Sequence, residues 1–404
     1  MTEPTTDPSA APYTPDTSAG VTAPRGFRAA GIAAGIKPSG APDLTLVVND
    51  GPEQTAAGVF TTNKVKAAPV LWSQQVLRQR RLRAVLLNSG GANACTGPEG
   101  FQDTHASAER VASILGVGAV EVAVCSTGLI GERLPMDNVL AGIAEVAGAL
   151  ADTPEAGLAA ATAVMTTDTR PKQAAVHHPD GWAVGGFAKG AGMCAPNMAT
   201  MLSVLTTDAV VDADVLDRAL REAVTWSFNS LNVDGGTSTN DTVLLLASGA
   251  SGQRPDEESF TNLLTAVCAN LTTQLQADAE GVTKRVVVSV IGAADAAEAK
   301  QVANVVAEDN LVKTALFGSD PNWGRIAMAV GRSGAKVDQD RLDIIINGVT
   351  VCRGGVRGED RSTVDLSGPQ VGIVIDLGLG EGTADVYTTD LSHAYVEENS
   401  AYSS

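Results

Sequence analysis

A stretch rich in glycine and proline near the middle of the chain runs directly into an apolar segment. The stretch is Lys189-Gly-Ala-Gly-Met-Cys-Ala-Pro-Asn-Met-Ala-Thr200, and Met201-Leu-Ser-Val-Leu205 follows it. Glycine and proline before an apolar run are typical of a turn that leads into a buried strand. Two interpretations fit this pattern. Thr200 is either merely the first residue of the strand or the residue before which the chain is cut.

Self-cleavage has a definite chemical route. The Thr200 hydroxyl can attack the Ala199 carbonyl through a five-membered ring, and water then opens the resulting ester. A released Thr200 carries an α-amine with a pKa of about 7.7–8.0, so a useful fraction is neutral at pH 7 and can accept the hydroxyl proton. This is the threonine/N-terminal-amine form of nucleophilic catalysis. Gly190, Gly192 and Pro196 provide the backbone freedom that the shift requires.

Composition and charge narrow the classes of protein to which the chain can belong. The 404 residues are 44% hydrophobic and 18% charged, which is ordinary for a globular protein with a large core. The net charge of −18 disfavours nucleic acid as a partner and would mildly attract a cationic substrate. Five scattered cysteines form no CxxC pair, so neither a disulfide framework nor a metal site is predicted. Cys125 and Cys194 are interpreted as small buried side chains.

The N-terminal residues predict a disordered tail and a cytoplasmic protein. Residues 1–20 are rich in Thr, Pro, Ala, Ser and Asp, a composition typical of disorder. They contain no Lys, Arg or apolar run, so no signal peptide is indicated. No stretch of about 20 apolar residues is present, so no membrane span is predicted.

Short apolar strands alternate with helical stretches along the rest of the chain. Strands are predicted at residues 44–48, 84–87, 120–124, 343–346, 371–377 and 383–387. Helices are predicted at residues 101–115, 260–275 and 302–306, and behind Asp212 as N-cap over residues 216–224. Because the strands and helices mix without regular βαβ units, the predicted fold class is α/β in the sense of a layered α+β sandwich, not a Rossmann fold.

The segment around Thr200 resembles the cleavage segment of the ornithine acetyltransferase family, the self-cleaving glutamate N-acetyltransferases of arginine biosynthesis. The resemblance runs from about residue 20 to the C-terminus and rests on long motifs. The further matching segments are Leu87-Asn-Ser-Gly-Gly-Ala-Asn-Ala-Cys-Thr-Gly97, Cys125-Ser-Thr-Gly-Leu-Ile-Gly131, Ser238-Thr-Asn-Asp241, Asp278-Ala-Glu-Gly-Val-Thr-Lys284, Gly318-Ser-Asp-Pro-Asn-Trp-Gly-Arg325 and Tyr395-Val-Glu-Glu-Asn-Ser-Ala-Tyr-Ser-Ser404. The resemblance implies β-sheets packed against each other with helices outside.

The resemblance also implies the residues of an active site. It assigns the oxyanion hole to Thr127 and Gly128, where losing one donor typically lowers the rate by ~10²–10³. From residues alone, these two form an ordinary turn after a strand. The positions that the resemblance places around the substrate are Thr166, Lys189, Thr200, Glu280, Asn399 and Ser404.

Two of these residues have other interpretations from the sequence. Lys189 could reach an anionic group, assist the cleavage turn or simply be solvated. Glu280 follows a predicted helix, where the helix dipole disfavours a carboxylate and hints at a partner cation. An exposed, solvated Glu280 is the alternative.

The reaction implied by the resemblance is a two-step acetyl transfer without a metal or redox cofactor. Thr200 takes the acetyl group from N-acetylornithine, releases ornithine and passes the acetyl group to glutamate. Cleavage between Ala199 and Thr200 would give an α chain of residues 21–199 after the tail and a β chain of residues 200–404, assembled as an α2β2 heterotetramer. Whether acetyl-CoA is also a substrate stays open, because no residue decides it.

Two other functions fit part of the pattern. Water could release the acyl-threonine, which would make the protein a self-cleaved hydrolase of the amidase or aminopeptidase type. Alternatively, an uncleaved chain would be a binding protein and would give one band at 41 kDa on a denaturing gel.

Overall fold

The computed structural model describes residues 13–193 and 201–401 of the chain. Five residues named in the predictions lie outside the described residues: Cys194, Pro196, Ala199, Thr200 and Ser404. In chain order the helices and strands are β1 (Phe27–Ile32), β2 (Leu44–Asn49), β3 (Thr55–Phe60), α1 (Ala68–Val76), β4 (Ala84–Asn88), α2 (Gly97–Leu115), β5 (Val122–Ser126), α3 (Met136–Gly148), α4 (Pro154–Ala163), β6 (Lys172–His177), β7 (Ala183–Lys189), β8 (Leu202–Thr207), α5 (Ala213–Trp226), β9 (Thr242–Ala247), α6 (Glu257–Ala277), β10 (Arg285–Ala293), α7 (Ala296–Ala307), α8 (Asn310–Phe317), α9 (Trp323–Gly331), β11 (Asp343–Ile346), β12 (Val349–Arg353), β13 (Val356–Arg357), β14 (Gln370–Asp376), β15 (Gly382–Thr389) and α10 (His393–Ala401).

Two sheets from the first two thirds of the chain pack face to face. The first has the strand order β1-β2-β4-β5, and the second has the order β3-β9-β8-β7-β6. Leu202 and Val204 of the second sheet share one apolar core with Leu44 and Leu46 of the first. Every residue of β2, β4, β8 and β9 is buried, because both faces of each sheet are covered.

Helices cover the outer faces of this pair of sheets. Helices α1, α2 and α3 bury residues in the core of the first sheet. On β8 and β9 the alternate residues, such as Leu205 and Leu245, face the opposite way and pack against α5 and α6. Helix α5 shows the spacing that the sequence predicts, with buried Leu216, Leu220 and Val224. The result is a four-layer arrangement of helices, sheet, sheet and helices.

The last third of the chain forms a third sheet with its own core. Its order is β13-β12-β11-β14-β10-β15, and α7, α8 and α9 pack on one face. In β10 the residues Val286, Val288 and Val290 are buried while those between them are partly exposed. This alternation is typical of a sheet that is covered mainly on one face. None of the helices within residues 13–193 and 201–401 is long and apolar enough to cross a membrane.

The structure confirms the predicted layered α/β class and corrects one strand boundary. Strands β4 and β5 are parallel and joined through α2, and β8 and β9 are parallel and joined through α5. These two βαβ units lie in different sheets and do not form a regular series, as the sequence predicts. The strand predicted at residues 120–124 is displaced, since residues Ala119–Glu121 form a short 3-10 helix before β5.

The predicted N-terminal tail is ordered over residues 13–20, the part that the structure describes. The main chain of Asp16 bridges Ala175 of β6 through hydrogen bonds of 2.8 and 2.9 Å. Gln173 of the same strand donates its side-chain amide to the Ser18 carbonyl at 3.0 Å. Because β6 is an edge strand, its unpaired backbone groups offer partners that a composition argument does not reveal.

Candidate active site

The predicted cleavage bond lies in the connection between two paired antiparallel strands. Lys189 at the end of β7 is paired in register with Leu202 at the start of β8, so residues 190–201 connect them. Carboxylates hold both described ends of this connection. The Met193 N–H donates to Asp234 at 2.7 Å, and the Met201 N–H donates to Asp241 at 3.0 Å. The residue directly after Thr200 is therefore anchored and buried.

A pocket lies beside this connection, where β5 and β7 end and where β8 and β9 begin. Turns after β5, α4, β7 and α6 meet there with the residues before β9 and with α10. The residues that line the pocket are Ala92, Thr127, Gly128, Ile130, Thr166, Thr167, Gly192, Met193, Ser238, Thr239, Asn240, Glu280 and Asn399. Five of the predicted site residues are thus in the wall of one pocket.

The turn predicted to form the oxyanion hole follows β5 directly. The Thr127 N–H donates to the Asn88 carbonyl at 3.0 Å, which fixes the turn against the end of β4. Gly128 has a φ of +127°, and a Cβ there would lie 2.7 Å from the Gly91 backbone nitrogen. Only glycine meets both conditions, because φ is positive and the neighbouring backbone leaves no room. The turn consequently presents Thr127 and Gly128 to the pocket.

Lys189 is buried behind the pocket wall. Lys189 is only 1% exposed, and its Nζ donates to Thr166 Oγ1 at 2.7 Å and to Thr127 Oγ1 at 3.3 Å. The interpretation of Lys189 as a solvated side chain is wrong. The lysine instead links two of the predicted site residues, and it brings a positive charge next to the proposed oxyanion hole.

Glu280 is also buried, at 9% exposure, so its interpretation as a solvated side chain is wrong too. It lies three residues beyond the end of α6, and its N–H donates to the Ala191 carbonyl at 3.0 Å. Asn399 of α10 donates its Nδ2 to Glu280 Oε2 at 2.7 Å. A Cβ on Gly192 would lie only 2.1 Å from the same oxygen, so a larger residue there would displace the Glu280 carboxylate. Within the described part of the chain, no lysine or arginine pairs with this carboxylate.

Sequence reasoning missed Asn240, which holds two turns of the pocket together. Its Nδ2 donates to the Ala92 carbonyl at 2.6 Å and to the Ser126 carbonyl at 2.8 Å. The matching motif Ser238-Thr-Asn-Asp241 was the only sequence signal for it, and that signal indicated no role.

Asp241, the last residue of that motif, is fully buried beside Met201. Burial raises the pKa of this carboxyl well above its ordinary value, although it accepts the Met201 N–H. Its Oδ2 has no hydrogen-bond partner among the described residues. Such an oxygen carries less penalty when the carboxyl is protonated, so burial favours the neutral form.

Cys125, in contrast, has the structural character that the sequence predicts. It is buried in β5, and burial raises the pKa of its thiol to about 12. A thiol with this pKa carries almost no thiolate at neutral pH and is a poor nucleophile. Across residues 13–193 and 201–401, no group of three or more His, Cys, Asp or Glu side chains is placed to hold a metal ion.

Comparison with known proteins decides the family. The sequence model of the ArgJ family matches residues 28–404. The chain belongs to the ArgJ family. An arginine biosynthesis bifunctional protein ArgJ from Mycolicibacterium paratuberculosis is 62% identical over 390 residues, which are 95% of this chain and 96% of that protein. The ArgJ protein of Streptomyces coelicolor is 57% identical over 384 residues, 95% of this chain and 100% of its own.

A solved ArgJ-type structure is similar to part of the chain. It is the ornithine acetyltransferase of Mycobacterium tuberculosis complexed with ornithine, 62% identical in sequence. The match covers 47% of this chain and 100% of that chain, with a TM-score of 0.45. The family assignment itself rests on the sequence matches, and it confirms the resemblance that the motifs predict.

Proposed function

We propose that this ArgJ-family protein transfers an acetyl group from N-acetyl-L-ornithine to L-glutamate through an acetyl-Thr200 intermediate. ArgJ proteins are acetyltransferases of arginine biosynthesis, so the reaction class follows from the family. One structural observation carries the residue-level proposal. Thr127, Gly128, Thr166, Glu280 and Asn399 converge on one pocket, and that pocket adjoins the connection that contains Thr200.

The proposed chemistry begins with the free α-amine of Thr200, which takes the proton from its own Oγ. The Oγ then forms a bond to the acetyl carbonyl carbon, and the carbonyl electron pair moves to the oxygen. The Thr127 hydroxyl and the Gly128 N–H donate to this oxyanion. When the carbonyl re-forms, the C–N bond breaks and the proton goes to the departing amine of ornithine. The α-amine of glutamate repeats the attack on acetyl-Thr200 and leaves as N-acetylglutamate.

We further propose that Glu280 pairs with an ammonium group of ornithine. The pocket supports this role because the Glu280 carboxylate is nearly buried and its side-chain partner is a neutral amide. A buried carboxylate gains most from a hydrogen-bonded cation, and a substrate ammonium would supply one. Thr166 is proposed to contact an anionic part of the substrate, with the positive charge of Lys189 directly behind it. Ser404, which lies outside the described residues, is proposed to contribute to the same binding.

Cleavage before Thr200 would leave two fragments that share one sheet. Strands β6 and β7 belong to the α chain and β8 and β9 belong to the β chain, yet all four are adjacent in the second sheet. The pairing of Lys189 with Leu202 would therefore hold the new ends together. An α2β2 heterotetramer, a cytoplasmic location and acetyl-CoA as an additional acetyl donor are further proposals, and the word bifunctional in the relatives' names supports two activities.

The hydrolase alternative uses the same nucleophile but ends with water. It is tested by measuring ornithine release from N-acetylornithine with and without glutamate. The transferase predicts release that depends on glutamate and an equal amount of N-acetylglutamate. Release at the same rate without glutamate would establish the hydrolase instead.

The nucleophile is tested by mass spectrometry and by a denaturing gel. The active wild-type protein is expected to give two fragments, one of which begins at Thr200. Thr200→Ala is expected to give a single band of 41 kDa and no transfer. Active protein in which residues 199 and 200 are still joined would contradict the mechanism, because the threonine would then have no amine base.

A further inference from the structure

Four buried side chains of alternating charge form an array that ends at Lys189, behind the pocket wall. They are, in order, Asp278, Lys172, Asp168 and Lys189. Lys172 Nζ lies 2.6 Å from a carboxylate oxygen of Asp278 and 2.6 Å from one of Asp168. The other Asp168 oxygen lies 4.0 Å from Lys189 Nζ. All four side chains are at most 5% exposed.

The alternation compensates charges that would be costly to bury alone. Burying a charge without a partner is strongly unfavourable, and removing one member of a buried pair leaves the other uncompensated. Asp168 lies between two ammonium groups, so its negative charge compensates the positive charges of both Lys172 and Lys189. Burial by itself would raise the pKa of Asp168, but the charges of Lys189 and Lys172 and its hydrogen bonds lower it to about 2. Asp168 is therefore ionised throughout the neutral range.

Asp168 also fixes the backbone on both sides of the Lys189 ammonium. One of its oxygens accepts the Gly190 N–H at 2.7 Å, which holds the residue directly after Lys189. The other accepts the Thr166 N–H at 3.0 Å, and Thr166 in turn accepts a hydrogen bond from Lys189. The Asp168 carboxylate thus positions both Lys189 and the Thr166 hydroxyl that accepts a hydrogen bond from Lys189.

Asp278, at the far end of the array, has contacts of a structural kind. Besides Lys172, it accepts hydrogen bonds from the N–H and the hydroxyl of Thr169, and it lies 3.9 Å from the exposed Arg170. Thr169 and Arg170 do not line the pocket, whereas Asp168 contacts Thr166, which does. Asp168 and Asp278 both pair with Lys172, but only Asp168 also contacts a residue that lines the pocket.

We propose that Asp168, anchored by Lys172, is a positioning residue for acetyl transfer that holds the Lys189 ammonium beside the Thr127 hydroxyl. There the positive charge of Lys189 stabilises the negative charge that develops on the acetyl oxygen. The inference rests on the proposed function, since it assigns the charge of Lys189 to the transition state of that reaction. It predicts that the effect of Asp168 on catalysis acts through Lys189.

The test is a double-mutant cycle with Asp168→Asn, Lys189→Met and the double variant. Each preparation is first checked for cleavage on a gel, and kcat and KM for N-acetylornithine are measured per cleaved protein. Lys189→Met is expected to lower kcat by ~100-fold, the lower end of the range for a lost oxyanion donor. Asp168→Asn is expected to lower it by no more than that, ~10–100-fold, because the lysine is displaced rather than removed. If Asp168 acts through Lys189, the double variant stays within about 3-fold of Lys189→Met. Losses that multiply, or a wild-type kcat for Asp168→Asn, would overturn the proposal.

Asp309→Asn is the matched control. Asp309 is buried to a similar degree and pairs with Arg332 at 2.9 Å, but it caps α8 and does not line the pocket. Asn caps a helix about as well as Asp, so this variant should fold and keep its kcat. If Asp168→Asn does not accumulate as folded protein, Asp168→Glu retains the charge but displaces it. The cycle is then repeated with that variant, with the same expected coupling.

A second readout separates this inference from the proposed function. Thermal unfolding of the same four proteins measures the coupling between residues 168 and 189 without any activity. If the wild type shows no glutamate-dependent transfer but the unfolding data show coupling, the proposed acetyl transfer is wrong, and the interaction between Asp168 and Lys189 is still supported. If the wild type transfers acetyl groups and the kinetic effects are independent, the positioning role fails and the function stands.

Discussion

Three carboxyl groups around the pocket, those of Asp168, Asp241 and Glu280, differ in their hydrogen-bond and charge partners. Asp168 lies between two lysines and stays ionised. Asp241 is buried, one of its oxygens has no hydrogen-bond partner among the described residues, and it favours its neutral form. Glu280 is nearly buried against an amide. Charge at this site is therefore set by the immediate partners of each side chain rather than by the net charge of the protein.

Glu280→Gln should weaken the binding of N-acetylornithine. Loss of a charge-assisted hydrogen bond of about 1.5–3 kcal/mol corresponds to a KM increase of roughly 10–100-fold. Steady-state kinetics at saturating glutamate measure this change. Glu397→Gln, an exposed residue on α10, serves as the control and should behave like the wild type. Unchanged kinetics of Glu280→Gln would remove the residue from the substrate site.

Asp241→Asn should change how stability depends on pH. A carboxyl whose pKa is raised in the folded state stabilises below its unfolded pKa, near pH 4, and loses that contribution as pH rises through the folded pKa. Asn is neutral at every pH, so the Tm of Asp241→Asn relative to its parent should rise from pH 4 to pH 8. Both proteins should carry Thr200→Ala so that their cleavage state is equal. A Tm difference that does not vary with pH would contradict the raised pKa of Asp241.

At the scale of secondary structure elements, α10 closes one side of the pocket by two contacts. Asn399 donates to Glu280, and the Tyr395 hydroxyl donates to Asp234 at 3.3 Å. Gly281 lets the helix approach, since a Cβ there would lie 2.2 Å from the Tyr395 nitrogen. The turn after α6 and the C-terminal helix therefore fit together only with glycine at this position.

Gly281→Ala should displace α10 and raise the KM for N-acetylornithine. Gly281 has a φ of +60°, so alanine adds backbone strain of about 1–3 kcal/mol as well as the clash. Gly116→Ala separates these two effects. Its φ is +69° but nothing lies within 4 Å of a Cβ there, so it should lower the Tm without changing KM. Equal kinetics for the two variants would show that the close approach of α10 does not affect the site.

At the scale of the whole molecule, the proposed cleavage would divide the chain but not its cores. The core between the first two sheets contains Phe187 from before the cleavage bond and Leu202 and Val204 from after it. Strand β3 of the α chain pairs with β9 of the β chain over six residue pairs. The fragments would therefore share the second sheet and the apolar core between the first two sheets, and parting them would expose that core.

Cleaved protein should accordingly behave as one cooperative unit. The fragments are expected to elute together in size-exclusion chromatography under native conditions and to separate only in denaturant, because parting them would expose the shared core. Calorimetry should show a single unfolding transition for them. The uncleaved Thr200→Ala variant is the control for elution and cooperativity. Separation of the native fragments would show that each half folds alone, and two transitions would show that the third sheet unfolds separately from the shared core.

The sequence by itself determined the family, the segment that contains Thr200 and the positions of several strands and helices. These features depend on residues close together in the chain, such as the spacing of Leu216, Leu220 and Val224 along α5. The motif matches also identified Thr127, Gly128, Thr166, Glu280 and Asn399, which the structure brings together.

Only the tertiary structure decided which side chains meet and which charges are compensated. Asn399 reaches Glu280 across 119 residues, and the tail at Asp16 finds the free edge of β6. The array around Asp168 exists only because tertiary packing brings Lys172, Lys189 and Asp278 together. The burial of a side chain and its charge partners depend on all the elements packed around it. A local sequence pattern does not specify which distant residues these will be.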